Sequence, residues 1–131
     1  AGVLEDGLAK GVLSADADTY VLLGKSWQMA DQWDKASSYY QKAVPLAKDG
    51  EAALLASSVL LTESKFSQAK AMAQQAVSKG LPHPGRAYMI LAESERNLKN
   101  NSAAVAAMQK AAQDPDTAEK ARAWLKKSGS K

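Results

Sequence analysis

An all-helical fold built from paired antiparallel helices is what the sequence predicts, and three observations predict it. Apolar residues recur at helical spacing through almost the whole chain, and no segment alternates as a strand would. Polar breaks holding glycine or proline, AKDGE at 47–51, KGLPHPGR at 79–86 and QDPDT at 113–117, cut the chain at similar intervals. Small residues stand beside aromatics at set distances: in TYVLLGKSWQMADQWDKASSYYQKAV, residues 19–44, Gly24 is followed by Ala36 and Ala43. A glycine weakens an isolated helix by about 1 kcal/mol relative to alanine. Its presence among good helix formers points to two backbones that cross closely.

Composition agrees with this reading. Hydrophobic residues make up 46% and charged residues 24%, the balance of a globular protein, and 131 residues fit one domain. Aromatics reach only 6%, so alanine, leucine and valine must fill the core, which suits closely packed helices better than a sheet. No apolar run approaches the length of a membrane span, so no membrane insertion is expected. Cysteine is absent, which excludes disulfides and thiolate metal sites. The net charge of +3 comes from 17 basic and 14 acidic residues spread along the chain, not gathered on one face as nucleic-acid binding requires.

Taken in order, the elements begin with residues 1–16, whose glycines Gly2, Gly7 and Gly11 make a poor isolated helix. This segment is expected to be an N-terminal helix or the second helix of an incomplete preceding unit. The opening AGVLEDG has neither an initiator methionine nor the regions of a signal peptide, so a processed protein or a fragment is expected. Residues 17–49 form two helices split at MADQW. Pro45 lacks a donor and clashes one turn back, so the second helix should end or bend near Val44. Residues 50–84 form a second pair split at ESKF, and LPHPG at 81–85 lengthens and stiffens the connection that follows. Residues 85–116 form a third pair split at KNNS. Residues 117–127, TAEKARAWLKK, are amphipathic, with Ala118, Ala121, Trp124 and Leu125 on one side. Asp116 or Thr117 is the candidate cap, Lys126 and Lys127 suit the negative end of the dipole, and 128–131 is a frayed tail.

The small residues recur in register. Tyr20-x2-Leu23-Gly24-x2-Trp27 is followed by Ala36-x3-Tyr40 and Ala43. A second pass reads Ala53-x2-Ala56-Ser57-x2-Leu60, then Ala69-x3-Ala73 and Ala76; a third reads Tyr88-x2-Leu91-Ala92-x2-Glu95, then Ala104-x3-Met108 and Ala111. This pattern resembles the tetratricopeptide repeat (TPR), whose period is about 34 residues. Here the units begin at Ala17, Gly50 and Gly85, spacings of 33 and 35 residues. The resemblance implies a single domain over 1–131, a right-handed superhelical solenoid of antiparallel helix pairs closed by a C-terminal capping helix anchored by Trp124. Gly24, Ser57 and Ala92 should meet the second helix of each pair, with Ala36, Ala69 and Ala104 as small partners and Tyr20, Trp27, Trp33, Tyr39 and Tyr40 filling the surrounding space. A larger side chain at those contacts costs about 1–3 kcal/mol. Glu95 departs from the pattern, standing where an aromatic is usual.

No catalytic constellation is legible. His83, the single histidine, lies between Pro82 and Pro84 and reads as a solvent-facing loop residue. Glu93 and Glu95 are two apart on a helix and point in different directions, a poor acid–base pair. There is no phosphate loop, nucleophile elbow or histidine pair, so no enzyme, cofactor or metal is expected. The basic residues Arg122, Lys126, Lys127 and Lys131 read as a solvated face.

The resemblance implies a non-catalytic scaffold that takes a protein or peptide on the concave face formed by the first helix of each pair. Its concave positions fall here on three rows: Val21, Leu54 and Met89; Lys25, Ser58 and Glu93; Gln28, Leu61 and Arg96. The first row is apolar throughout, and Leu61 extends it, so an exposed stripe flanked by charges is expected. The family's carboxylate clamp lines its groove with lysines, asparagines and an arginine; the corresponding places here hold residues such as Val21, Leu55 and Ile90, which excludes it. The alternative is a structural segment of a longer solenoid, without a peptide ligand, that self-associates through its incomplete N-terminal end. GVLSADADTYVLLG, AVPLAKDGE, PGRAYMILA and AEKARAWLKK also resemble the C-terminal region of TPR proteins associated with TonB-type systems of Gram-negative bacteria. That resemblance implies a periplasmic protein in a cell-envelope complex; without it, a cytoplasmic one is expected.

Overall fold

Helix α1 covers Ala17–Met29 in the computed structural model, which describes residues 16–127. The incomplete unit expected over 1–16 (apart from Asp16) and the tail at 128–131 lie outside the described residues. Asp16 starts α1: its carboxylate accepts the Thr19 N–H at 2.8 Å, which satisfies an orphan donor of the first turn. That bond holds the Asp16 carboxyl below its ordinary pKa. Helix α2, Trp33–Ala43, gives way to a 3₁₀ turn at Val44–Leu46, where Pro45 removes the donor that a continuing α-helix needs. Then follow α3 (Glu51–Thr62), α4 (Phe66–Lys79), α5 (Gly85–Asn97), α6 (Asn101–Ala111) and α7 (Ala118–Lys127). No strand occurs among the described residues.

One turn, used three times, makes the pairs antiparallel. Asp31, Ser64 and Lys99 take positive φ of 59°, 60° and 70°, each one residue past the C-cap of α1, α3 and α5. The following residue reaches back five positions in each case: Gln32 N to Trp27 O at 2.9 Å, Lys65 N to Leu60 O at 2.9 Å and Asn100 N to Glu95 O at 2.8 Å. This is the Schellman ending, which satisfies late carbonyls of one helix and turns the chain into the next. None of the three positions is glycine, so the left-handed conformation is held against a side chain's steric cost.

The small residues of the repeat pattern are buried. Ala36, Ser57, Ala69 and Ala92 have no exposed surface, and Ala104 has 1%. Gly24 faces the Tyr40 ring so closely that a Cβ there would stand 2.5 Å from two ring carbons. The close approach therefore joins Gly24 to an aromatic, with Ala36 packed in the same region. Ser57 and Ser94 are buried and donate to carbonyls of their own helices, Leu54 O at 2.7 Å and Ile90 O at 2.8 Å. They occupy little room and leave no unsatisfied hydroxyl.

Glu95 is buried with specific partners. Its Oε1 accepts from Asn100 Nδ2 at 3.0 Å and stands 3.1 Å from Lys70 Nζ on α4. Burial pushes its carboxyl up, but the Asn100 and Lys70 hydrogen bonds and the Lys70 charge outweigh burial and leave it below the ordinary value. The aromatic that the repeat pattern expects is thus replaced by a link between the second and third helix pairs. At the far end, Ala121 and Leu125 of α7 are buried against Ala92, Ala107, Met108 and Ala111, with Trp124 packed beside them. Thr117, a candidate cap, is buried and its hydroxyl donates to the Ala111 carbonyl at 2.8 Å.

Candidate functional site

The first helices of the second and third pairs, α3 and α5, pack side by side, and α7 closes one end of the surface between them. The concavity left there is about 370 Å³. Leu61, Met89 and Ile90 supply its apolar floor, with Ser58 beside them. Charge surrounds that floor: Arg86 and Glu93 come from α5, Asp116 from the turn before α7, and Lys120 from α7. An apolar floor within a ring of both charge signs can seat one apolar side chain and hold a flanking backbone in register.

Four of the nine residues expected on the concave rows meet at this place: Ser58, Leu61, Met89 and Glu93. Val21 and Lys25 line a separate depression of about 600 Å³ between α1 and the segment leading into α3, together with Leu46 and Ala52. Leu54 differs from expectation. It is only 5% exposed and packs in the core with Ala53, Ala87 and Ile90, because α5 lies against α3 at that level and covers it. The apolar row Val21, Leu54 and Met89 is therefore interrupted at its middle.

Gln28 and Arg96 have side-chain partners within the chain. Gln28 Oε1 accepts the Tyr40 hydroxyl at 2.7 Å, and Arg96 Nη2 donates to Glu93 Oε2 at 2.9 Å. The other Glu93 oxygen accepts from Trp124 Nε1 at 2.9 Å. Glu93 thus ties the groove-lining helix to the capping helix. The sequence predicts Trp124 in the cap, but neither this bond nor the lining of the concavity by Arg86, Ile90, Asp116, Thr117 and Lys120 is legible in it. The repeat pattern carries concave positions only on the first helix of each pair, so it does not reach Asp116, Thr117 and Lys120, which follow the last pair's helices.

His83 is 65% exposed, as expected of a loop residue, but it has acidic neighbours. Its Nδ1 stands 3.5 Å from Asp116 Oδ2 and 3.8 Å from Asp114 Oδ1. Asp114 is buried, and the N–H groups of Asp116 and Gly85, which it accepts, hold its carboxyl below the ordinary value.

No family model matches the sequence, and neither does any curated protein. Solved structures do match. The Arabidopsis OM64 TPR domain superposes with a TM-score of 0.71 at 21% identity, over 85% of this chain and 94% of that one. YrrB, described as a TPR protein with an unusual peptide-binding site, gives 0.72 at 20% identity over 91% of this chain and 60% of its own. The TPR2B domain of yeast Sti1, in a complex with pHsp70, gives 0.67 at 23% identity over 74% of this chain and 78% of that one. At such identities the likeness is one of fold, and the fold of this chain is the helical solenoid of tetratricopeptide repeat domains.

Proposed function

We propose that this chain is a non-catalytic scaffold that docks a protein segment or peptide on its concave face, through the concavity between α3, α5 and α7. The observation that carries the proposal is the floor of Leu61, Met89 and Ile90 ringed by Arg86, Lys120, Glu93 and Asp116. Hydrophobic anchoring gives affinity there, and charges of both signs fix register and select partners. Two of the similar structures support it by what they are: one has a peptide-binding site and the other is a complex with pHsp70. The docking unit is the array of pairs over 17–49, 50–84 and 85–116 with its cap. Its setting is a cell-envelope complex of the TonB type in the periplasm, which rests on the short sequence phrases that resemble such proteins.

Affinity capture from a Gram-negative periplasmic extract tests both parts. The wild type is compared with a Leu61→Ser/Met89→Ser double variant whose helix content is unchanged by circular dichroism. A partner held by the wild type and lost by the variant supports the groove, and its identity tests the TonB-type setting. Equal capture by both forms counts against the groove. A second reading, self-association, is favoured by Leu22, Met29 and Leu46, which are 51%, 87% and 50% exposed near the first helix pair. Light scattering over a concentration series decides it, since a constant monomer mass removes that reading.

A further inference from the structure

We propose that His83, Asp114 and Asp116 form a binding site for one divalent transition-metal ion of the zinc class. The three residues bring one imidazole nitrogen and two carboxylate oxygens within 4.8 Å of one another. They come from two separate segments, the connection before α5 and the turn before α7. Zinc bonds to nitrogen and oxygen are about 2.0–2.1 Å, so tetrahedral ligand atoms lie about 3.3–3.4 Å apart. The His83 Nδ1 distances of 3.5 Å and 3.8 Å are already near that edge length. All three ligand atoms lie within 4.8 Å of one another, so an ion would draw them closer together.

The frame around the ligands is built. Asp114 is 7% exposed; its Oδ2 accepts the Gly85 N–H at 2.8 Å and its Oδ1 accepts the Asp116 N–H at 3.0 Å. Each oxygen retains a further lone pair for an ion, and such supporting bonds orient metal-binding carboxylates. Gly85 permits the close approach, since a Cβ there would overlap the Thr117 hydroxyl and stand 2.8 Å from the Asp114 Cβ. Pro82 and Pro84 restrict the backbone on both sides of His83. Two carboxylates facing one imidazole leave net negative charge even when the ring is protonated. The mixed nitrogen and oxygen set suits zinc, cobalt or nickel better than magnesium or calcium, which take oxygen ligands. Three protein ligands leave a position for water. Because Asp116 also lines the concavity, a bound ion would pin the loop before α5 to the start of the cap at one end of that surface. The site stands independently of what the groove binds.

The full 131-residue chain, stripped of metal with EDTA, is titrated with zinc chloride by calorimetry, with bound metal counted after equilibrium dialysis. One zinc per chain is expected and no magnesium. His83→Ala and Asp116→Asn alter exposed side chains, so both should keep the wild-type helix content. Each should weaken zinc at least about tenfold. Zinc should also raise the melting temperature of the wild type and not that of His83→Ala. Absence of stoichiometric zinc overturns the proposal. Unchanged affinity in Asp116→Asn also overturns it, because the histidine alone would then account for binding.

Discussion

Tyr40 is the largest side chain with no exposed surface, and its hydroxyl tolerates burial because Gln28 accepts its proton at 2.7 Å. Burial pushes its pKa up to about 12, so it remains a neutral donor. Tyr40→Phe leaves Gln28 without that donor and should cost about 1 kcal/mol in urea unfolding. Across the ring lies Gly24, where Gly24→Leu forces a side chain into space the ring already fills. A loss of about 1–3 kcal/mol or more is expected from the same measurement. Leu54 and Met89 stand at corresponding repeat positions but should respond differently. Leu54→Ala removes core contacts and should cost about 2–5 kcal/mol, whereas Met89→Ala, on the groove floor, should cost less than about 1 kcal/mol. Equal losses at the two positions would show that Met89 is core and the floor is not open. Glu95 gives a pH dependence of known sign. Its folded pKa lies below the ordinary 4.5, so its stabilisation is complete above that value and is lost as pH falls through the lower folded value. Urea unfolding in acid should therefore show a shallower decline below pH 4.5 for Glu95→Gln than for the wild type.

Each helix ending after α1, α3 and α5 is the same hydrogen-bonded turn made with a non-glycine residue. Lys99 has the least reason to be there, since lysine, unlike asparagine or aspartate, has no short polar group to stabilise the left-handed conformation locally. Lys99→Gly relieves the strain while raising unfolded-state entropy, and a net gain of up to about 1 kcal/mol is expected in thermal unfolding. The breaks MADQW, ESKF and KNNS were visible in the sequence, because polar residues interrupt the apolar stripe there. The conformation of those breaks was not visible, because Asp31, Ser64 and Lys99 share no residue type. The capping helix was legible from the spacing of Ala121, Trp124 and Leu125. Its bond from Trp124 to Glu93 was not, since it joins positions 31 apart whose approach depends on how α7 crosses α5.

At the scale of the molecule, the helix pairs stack so that each covers part of its neighbour, and the cap covers the last. This stacking uses small buried residues: Gly24 admits the Tyr40 ring, Ala36, Ser57, Ala69, Ala92 and Ala104 are buried, and a periodic pattern of small residues is legible locally. The all-helical class, the order of the elements and the break at Pro45 follow from the sequence for the same reason. The candidate site was legible only in part. Of the repeat positions, Ser58, Leu61, Met89 and Glu93 line the concavity, but the pattern gave Leu54 the same standing as Met89. Which of two equivalent positions is covered depends on the crossing of α3 and α5, a contact between distant residues that no local pattern encodes. The same holds for Arg86, Asp116 and Lys120, and for the meeting of His83 with Asp114 and Asp116. By itself the sequence determined the helices and their pairing, because those rest on periodicity and backbone preference. Only the tertiary structure decided which surface stays open and which charges meet there, because those depend on long-range packing.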